Sequence, residues 1–346
     1  MLKRPRLLIL SGQAGAGTTS ASLALRESLG GGEGAASVVD GRGHVSEIEG
    51  LVDRTIAAGG LGARTQELSR VLTGLTGLTG VADVLAVYET ANRGEAIVWD
   101  AGETGGLLRV LALLDAARSE IARVVPPLIA IRAARSISAV DRSAWQGIIA
   151  ALGSVRAMLD DDGTRVLLVV LPDDGVEEFL EDRIGLLSLM RTACDGIIVN
   201  RVPRNGDGWP ESWAEPRRHR VERLRGRGMP VVEIAHLTND APGETAFRSQ
   251  AGVVLEIARV PRPLPDSITE RDDGGFDLHV HLPGVRPDLV RAGRLGDSLV
   301  TEVAGLRRQT VLAPVLARCE IQGAGMVGDW LIVRFGRNQE LWSEAL

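Results

Sequence analysis

The sequence predicts an α/β fold in which a mostly parallel sheet, covered by helices on both faces, is followed by a small antiparallel β-sandwich. Most of the chain consists of helical patterns separated by short apolar runs that do not alternate with polar residues. Strands buried on both faces of a parallel sheet have this continuous apolar character. Polar and apolar residues begin to alternate only beyond residue 260, which is typical of a sheet with one solvated face.

The first predicted elements are a strand, a glycine-rich loop and a helix, at residues 7–10, 11–17 and 19–29. A phosphate-binding unit requires this order, because the loop and the start of the helix direct main-chain N–H groups toward an anion. Further buried strands are predicted at residues 36–40, 96–99, 166–171, 196–199 and 231–235. Helices are predicted within residues 47–94, about 106–157 and 175–192.

A proline-rich connector divides the chain. Pro261, Pro263 and Pro265 predict a stiff segment. Alternating runs follow it at residues 276–282, 298–303 and 330–335. We therefore predict an α/β domain at residues 1–257 with a helical subregion at about 106–157, a linker at 258–272 and a β domain at 273–346.

Charge and cysteine content argue against several classes of function. The 346 residues carry a formal net charge of −6, so we expect no binding to nucleic acid. A basic cluster at residues 217–227 is interpreted as a solvated helix face, with an anion or lipid site as the alternative. Cys194 and Cys319 are too far apart in the sequence to indicate a disulfide framework or a zinc site. The N-terminal apolar run is too short for a signal peptide or a membrane span, so we expect a cytoplasmic protein.

The glycine-rich loop is similar to the P-loop of nucleoside triphosphatases, G-x-x-x-x-G-K-S/T, but lacks its lysine. Gly12 and Gly17 frame the loop, Thr19 takes the position of the Mg²⁺-binding hydroxyl, and Thr18 replaces the lysine. Main-chain N–H groups are sufficient to hold phosphate, whereas the lysine acts mainly in the transition state. The loop by itself fits either a phosphate site or an ordinary tight βα turn. As a nucleotide site, we expect it to bind ATP and Mg²⁺ with weak or no hydrolysis. The candidate nucleotide-binding residues of the loop are Gly12, Gln13, Gly15, Gly17, Thr18, Thr19 and Ser20.

A second motif resembles a signature of the ArsA-type P-loop ATPases, a family that includes arsenite-pump ATPases and the ATPases that deliver tail-anchored membrane proteins. Residues 100–111 follow a predicted strand and read D-A-G-E-T-G-G-L-L-R-V-L, against D-T-A-P-T-G-x-x-L-R-L-L in the family. Asp100, Thr104 and Arg109 match, whereas residues 101–103 depart. The resemblance implies a P-loop NTPase fold, ATP as cofactor, and Asp100 near a Mg²⁺ ion that Thr19 also binds.

Three more segments resemble the family in the same order along the chain. Its P-loop, G-K-G-G-V-G-K-T-T, carries a signature lysine that reaches across a dimer, and Gln13 stands in that position here. Its switch I, D-P-A-H, is similar to residues 40–44, which makes Asp40 a candidate for orienting the attacking water. Residues 198–202 resemble V-V-N-R-V, whose asparagine contacts adenine, so the resemblance implies nucleotide binding by Asn200 and the adjacent Arg201.

The C-terminal region resembles the α-crystallin-like, or small-heat-shock-like, domain that is appended to many bacterial ArsA relatives. The resemblance lies in residues 280–285, V-H-L-P-G-V, and in the strand at residues 330–335. Other family features are missing: the arsenite-binding cysteine cluster, the CxxC motif that holds zinc in some dimers, and the Met-rich groove of a tail-anchor receptor. These departures limit which of the family's activities can be expected here.

Four functions remain open at this point. The first is a nucleotide-binding protein with impaired hydrolysis, acting as a dimer with itself or with an active ArsA-like homologue that supplies the missing lysine. The second is a slow ATPase in which an arginine substitutes for the lysine. The candidates are Arg42, Arg109 and Arg201. The third is a chaperone-like module that binds a hydrophobic protein client. The fourth, outside the family, is a P-loop small-molecule kinase or ligase related to dethiobiotin synthetase.

Overall fold

The computed structural model describes residues 5–30, 36–40, 42–57, 77–116, 138–206, 208–236 and 243–337. Parts of the predicted helical regions, residues 58–76 and 117–137, lie outside the described residues. The chain divides into two compact units, the first made of residues 1–176 and 194–260 and the second of residues 177–193 and 261–346. Among the described residues, none of the helices is both long enough and apolar enough to span a membrane.

The first unit contains a six-stranded sheet in the order β2-β3-β1-β4-β5-β6. All of its neighbouring strands pair in parallel. The strands are β1 (Leu7–Gly12), β2 (Ala36–Val39), β3 (Ala96–Glu103), β4 (Thr164–Val170), β5 (Gly196–Val202) and β6 (Val231–Ala235). Every residue of the two central strands β1 and β4 is buried, which explains why both are apolar without alternation.

Helices follow most of these strands. They are α1 (Thr18–Gly30), α2 (Val45–Ala57), α3 (Gly77–Asn92), α4 (Thr104–Ala116), α5 (Ala139–Asp160), α7 (Glu211–Arg225), α8 (Gly243–Arg248) and α9 (Ala251–Leu255). Helix α6 belongs to the second unit and is described with it. Helix α1 packs with α8 and α9 over Leu8 and Leu10 of β1, and the resulting core also includes Phe247. Helices α3, α4 and α5 contact one another. The parallel sheet with its helices confirms the predicted α/β class.

The second unit contains two antiparallel sheets, in the orders β11-β10-β9 and β12-β13-β8-β7. Their strands are β7 (Ser267–Glu270), β8 (Phe276–His281), β9 (Val290–Leu295), β10 (Ser298–Val303), β11 (Leu306–Val311), β12 (Cys319–Val327) and β13 (Trp330–Arg337). A short helix, α10 (Pro314–Ala317), precedes β12. Buried residues alternate along β8 and β13, and Phe335 pairs across the strands with Phe276. These sheets confirm the small antiparallel β domain.

The second unit also includes helix α6 (Val176–Leu189), although this helix follows β4 in the sequence. A side chain at Gly185 would lie 3.2 Å from the carbonyl oxygen of Gly284, so the helix and this loop are in close contact. The hydroxyl of Ser188 donates to the carbonyl of Pro283 at 2.8 Å. The domain limits predicted from the sequence stay a prediction, and the structure adds that residues 177–193 group with the β-strands.

Candidate functional site

The glycine-rich loop joins the end of β1 to the start of α1, and its glycines are required for two different reasons. Gly15 and Gly17 have φ values of 71° and 92°, in the left-handed region that residues with a Cβ atom rarely adopt. At Gly12 the reason is space, because a Cβ atom there would lie 1.9 Å from the carbonyl oxygen of Val169 in β4. The glycine pattern is therefore explained by the backbone path of this βα turn.

Gln13 is held within its own chain. Its N–H donates to the carbonyl of Val169 at 3.1 Å, and its carbonyl accepts the N–H of Ala16 at 3.1 Å. Its side-chain oxygen accepts the N–H of Leu171, just beyond β4, at 3.0 Å. The side chain at the position of the signature lysine thus bonds to the neighbouring strand end of the same chain.

Thr19 and Asp100, the two residues that the sequence singles out for Mg²⁺, lie in contact. The hydroxyl of Thr19, in the first turn of α1, donates to Oδ2 of Asp100 in β3 at 2.6 Å. Oδ1 of Asp100 accepts the N–H of Gly102 at 3.2 Å. A hydroxyl and a carboxylate are both hard oxygen ligands, so this pair fits the chemistry that Mg²⁺ prefers.

Two hydrogen bonds join the segment just after Asp100, at the end of β3 and the start of α4, to the residues at the start of the glycine-rich loop. The hydroxyl of Ser11 donates to the carbonyl of Gly102, and the buried hydroxyl of Thr104 donates to the carbonyl of Gly12, each at 3.1 Å. β3 continues to Glu103, beyond the strand predicted at residues 96–99, because Glu103 still pairs with Gly12 of β1. Ser11 received no role in the sequence analysis, and Thr104 was recognised only as part of a motif.

Asn200 connects the end of β5 to the glycine-rich loop. It is 8% exposed, and its amide nitrogen donates to the carbonyl of Ala16 at 2.8 Å. Its amide oxygen accepts the N–H of Arg201 at 2.8 Å. Arg201 has a φ of 57°, unusual for a residue with a side chain, and is exposed. Asn200 therefore bonds to the main chain through both ends of its amide group.

The pKa of Asp83 is shifted by burial and by two other carboxylates. Burial, followed by the negative charges of Asp40 and Asp100, raises the pKa of Asp83 in α3 to about 7. The side-chain N–H of Trp99 acts in the opposite direction on this pKa but lies outside normal hydrogen-bond geometry. Within the described residues, neither Oδ1 of Asp83 nor Nε1 of Trp99 has a hydrogen-bond partner. Asp83 was not predicted from the sequence, where its only signal is that it is one of two acidic residues, with Glu89, in a largely apolar helix.

The remaining candidates differ in exposure. Thr18 is 8% exposed, so the position of the missing lysine is occupied by a buried hydroxyl side chain at the start of α1. Ser20 is half-buried in the first turn of the same helix, and Asp40 is exposed beyond the end of β2. Of the possible substitute cations, Arg109 is exposed, and the side chain of Arg42 lies outside the described residues.

The basic cluster lies mainly on helix α7, where carboxylates accompany the arginines. Arg217 bonds to Asp173 at 2.7 Å and stacks over the ring of Trp213 at 4.2 Å. Arg220 pairs with Asp174. These ion pairs offset part of the positive charge of the helix, as in a solvated helix face.

Comparison with known families identifies the class of the C-terminal region. Residues 273–335 match the family model described as the HSP20-like domain found in ArsA. The matched residues include β8 to β12 and most of β13 in the second unit. The match confirms the ArsA-like, small-heat-shock-like domain that the sequence predicted at this end of the chain.

Two relatives extend the similarity into the rest of the chain. The uncharacterized protein SCO2128 of Streptomyces coelicolor is 30% identical over 196 residues, covering 55% of this chain and 50% of the relative. Protein Rv2184c of Mycobacterium tuberculosis is 26% identical over 283 residues, covering 73% of this chain and 66% of the relative. The alignments thus span half of the first relative and 66% of the second. Neither name states an activity, so function is inferred from the site.

Proposed function

We propose that the chain is an ArsA-like nucleotide-binding protein that binds ATP at the glycine-rich loop and hydrolyses it weakly or not at all. The main support is the contact of 2.6 Å between Thr19 and Asp100, which lie 81 residues apart in sequence. This contact adjoins a turn in which Gly15 and Gly17 adopt left-handed conformations. Such a loop followed by a helix presents main-chain N–H groups, the part of a phosphate site that requires no side chain.

The same pair of oxygen atoms provides the metal position. Thr19 Oγ1 and Asp100 Oδ2 would hold Mg²⁺ in place of the hydrogen bond that now joins them. When bound, Mg²⁺ neutralises part of the negative charge on the β- and γ-phosphates. The bonds from Ser11 and Thr104 would keep the end of β3 beside the loop, so that Asp100 stays close to Thr19.

Weak hydrolysis follows from the loss of positive charge in this site. Thr18 and Gln13 stand where the family has lysines, and neither side chain is charged. A cation that stabilises the transition state contributes roughly 3 kcal/mol, so its loss lowers the rate on the order of a hundredfold. Ground-state binding through main-chain amides is affected much less, because it does not depend on that charge.

A partner chain completes this proposal. Two identical chains would leave both sites without the crossing lysine, because each chain carries Gln13 in its place. An active ArsA-like homologue carries that lysine and would supply it in a heterodimer. We therefore propose that hydrolysis, if it occurs, is assisted by such a homologue.

The proposal is tested by titrating the full chain with ATP and Mg²⁺ in a calorimeter and by measuring phosphate release with and without the homologue. We expect binding by the wild type, little release by the chain alone, and binding weakened about tenfold by Thr19→Ala or Asp100→Asn. Asp297→Asn is the matched control, since its side chain is 79% exposed in the β domain.

Each alternative outcome has a distinct meaning. A folded wild type that fails to bind ATP with Mg²⁺ refutes the proposal and favours the chaperone-like function. Rapid phosphate release by the chain alone favours the slow-ATPase alternative, in which an arginine replaces the lysine. Binding that persists unchanged in both site variants places the nucleotide elsewhere.

A further inference from the structure

We propose that Asn200 is a positioning residue for the phosphates, acting through the glycine-rich loop. The inference rests on the proposed function and deepens it, because it concerns which part of ATP this residue affects. Its basis is the bond of 2.8 Å between the amide nitrogen of Asn200 and the carbonyl of Ala16, which are 184 residues apart in sequence.

The bond fixes the orientation of one peptide group in the loop. No peptide bond among the described residues is cis, so the C=O of Ala16 and the N–H of Gly17 point in opposite directions. With the carbonyl directed at Asn200, the N–H of Gly17 is directed away from it. This amide immediately precedes α1 and is one of the donors that such a loop offers to a phosphate. Losing the bond would let the peptide rotate and misdirect the donor.

Asn200 also accounts for the small residue at position 17. A Cβ atom on Gly17 would lie 2.7 Å from the amide nitrogen of Asn200, closer than atoms of this kind normally approach. The φ of Gly17, 92°, independently disfavours any residue with a side chain. The loop and the asparagine therefore fit each other at a contact that leaves no space for a larger residue.

The other end of the amide group is fixed by Arg201. The N–H of Arg201 donates to the amide oxygen of Asn200 at 2.8 Å, and the φ of Arg201 is 57°. A left-handed conformation costs an arginine free energy, and such conformations persist where the surrounding contacts determine them. This bond holds the side chain of Asn200 toward the loop. The bond to Ala16 uses one of the two N–H donors of the amide, and it is this bond that acts on the loop.

The test compares ATP with inorganic tripolyphosphate, which has the phosphate chain without the sugar and base. The affinity of each ligand is measured by calorimetry with Mg²⁺ for the full-length wild type, Asn200→Ala and Asn92→Ala. Asn92, exposed at the end of α3, is the matched control. We expect Asn200→Ala to weaken both ligands by the same factor, about tenfold, and Asn92→Ala to weaken neither.

Two further variants separate positioning from a loss of folding. Asn200→Asp keeps the size of the side chain and the acceptor for Arg201, but can place a carboxylate oxygen against the carbonyl of Ala16. Gly17→Ala puts a methyl carbon 2.7 Å from the amide nitrogen of Asn200, which must then move. We expect both to weaken ATP and tripolyphosphate equally while the melting temperature shows a folded chain. A purely structural role would lower the melting temperature and leave both affinities of the folded variant unchanged, which would overturn the inference.

The remaining outcomes are also decisive. If Asn200→Ala weakens ATP but not tripolyphosphate, Asn200 contacts the base and the inference is wrong, while the proposed function stands. If the folded wild type binds neither ligand, the proposed function itself fails and this inference fails with it.

Discussion

Replacing Asp83 by asparagine should stabilise the folded chain at neutral and alkaline pH and have little effect in acid. Burial and the charges of Asp40 and Asp100 raise the pKa of Asp83 from 3.8 to about 7. Each unit of difference between the pKa in the folded chain and the pKa in the unfolded chain corresponds to about 1.4 kcal/mol. The ionised carboxylate therefore destabilises the folded state by up to about 4 kcal/mol. Asparagine has nearly the same shape and no charge, and therefore avoids this penalty.

The direction of the pH dependence follows from the protons bound in each state. Below pH 3.8 the carboxyl is protonated in both the folded and the unfolded chain, so its ionisation does not lower the free energy of unfolding. Between that value and about 7 the unfolded chain releases the proton while the folded chain keeps it, so stability falls as the pH rises. Above about 7 both states are ionised, and the penalty remains constant.

Urea unfolding at about pH 5 and about pH 8 measures the effect. EDTA should be present, because a metal ion at Asp100 would lower the pKa of a nearby carboxyl group. We expect the midpoint of Asp83→Asn to exceed that of the wild type by a margin that is larger at the higher pH. Asp53→Asn, which removes an exposed carboxylate from α2, is the control and should show no such pH-dependent margin. A gain that is equal at both values, or a loss at the higher pH, would refute the reasoning.

Two other substitutions test the packing of each unit by urea unfolding. Gly12→Ala should destabilise the first unit by about 3 kcal/mol or more, because its methyl group would overlap the carbonyl of Val169. Gly15→Ala, which meets no atom within 4 Å, should cost only about 1–2 kcal/mol through its left-handed φ. Equal effects of the two would show that the overlap is relieved by movement of the backbone. In the second unit, Ser188→Ala should lower the free energy of unfolding by about 1 kcal/mol, because the carbonyl of Pro283 loses this donor. An unchanged urea midpoint would mean that water replaces the hydroxyl.

The apolar runs of the sequence predicted all of the strands in the parallel sheet, because strands buried on both faces must be apolar along their length. Strand ends were less predictable. β3 extends through Asp100 to Glu103 because its ladder with β1 continues, which depends on a neighbour far away in the sequence. In the β domain, alternation indicated β8, β10 and β13. It missed β9, for example, because most of its residues are exposed and carry no apolar periodicity.

The candidate site was predictable where residue type follows from chemistry. A hydroxyl at the start of a helix and a carboxylate near a strand end indicated Thr19 and Asp100, and the structure brings the two together. Asn200 was singled out as a base contact, yet its bonds to Ala16 and Arg201 depend on how β5 meets the loop. Asp83 was missed because the pKa of a carboxyl group depends on burial and on charges that lie elsewhere in the sequence.

Local pattern was enough to predict the class of fold, the strands of the parallel sheet and the position of the glycine-rich loop. Each of these depends on residues close together in the chain, through periodicity, glycine content and burial on one or both faces. The ArsA-like C-terminal domain was predicted from its resemblance to that family. The hydrogen-bond partners of Gln13 and Asn200, the raised pKa of Asp83 and the grouping of α6 with the β-strands emerged only from the folded chain. They depend on distances between segments that are far apart in sequence, and no local pattern records those distances.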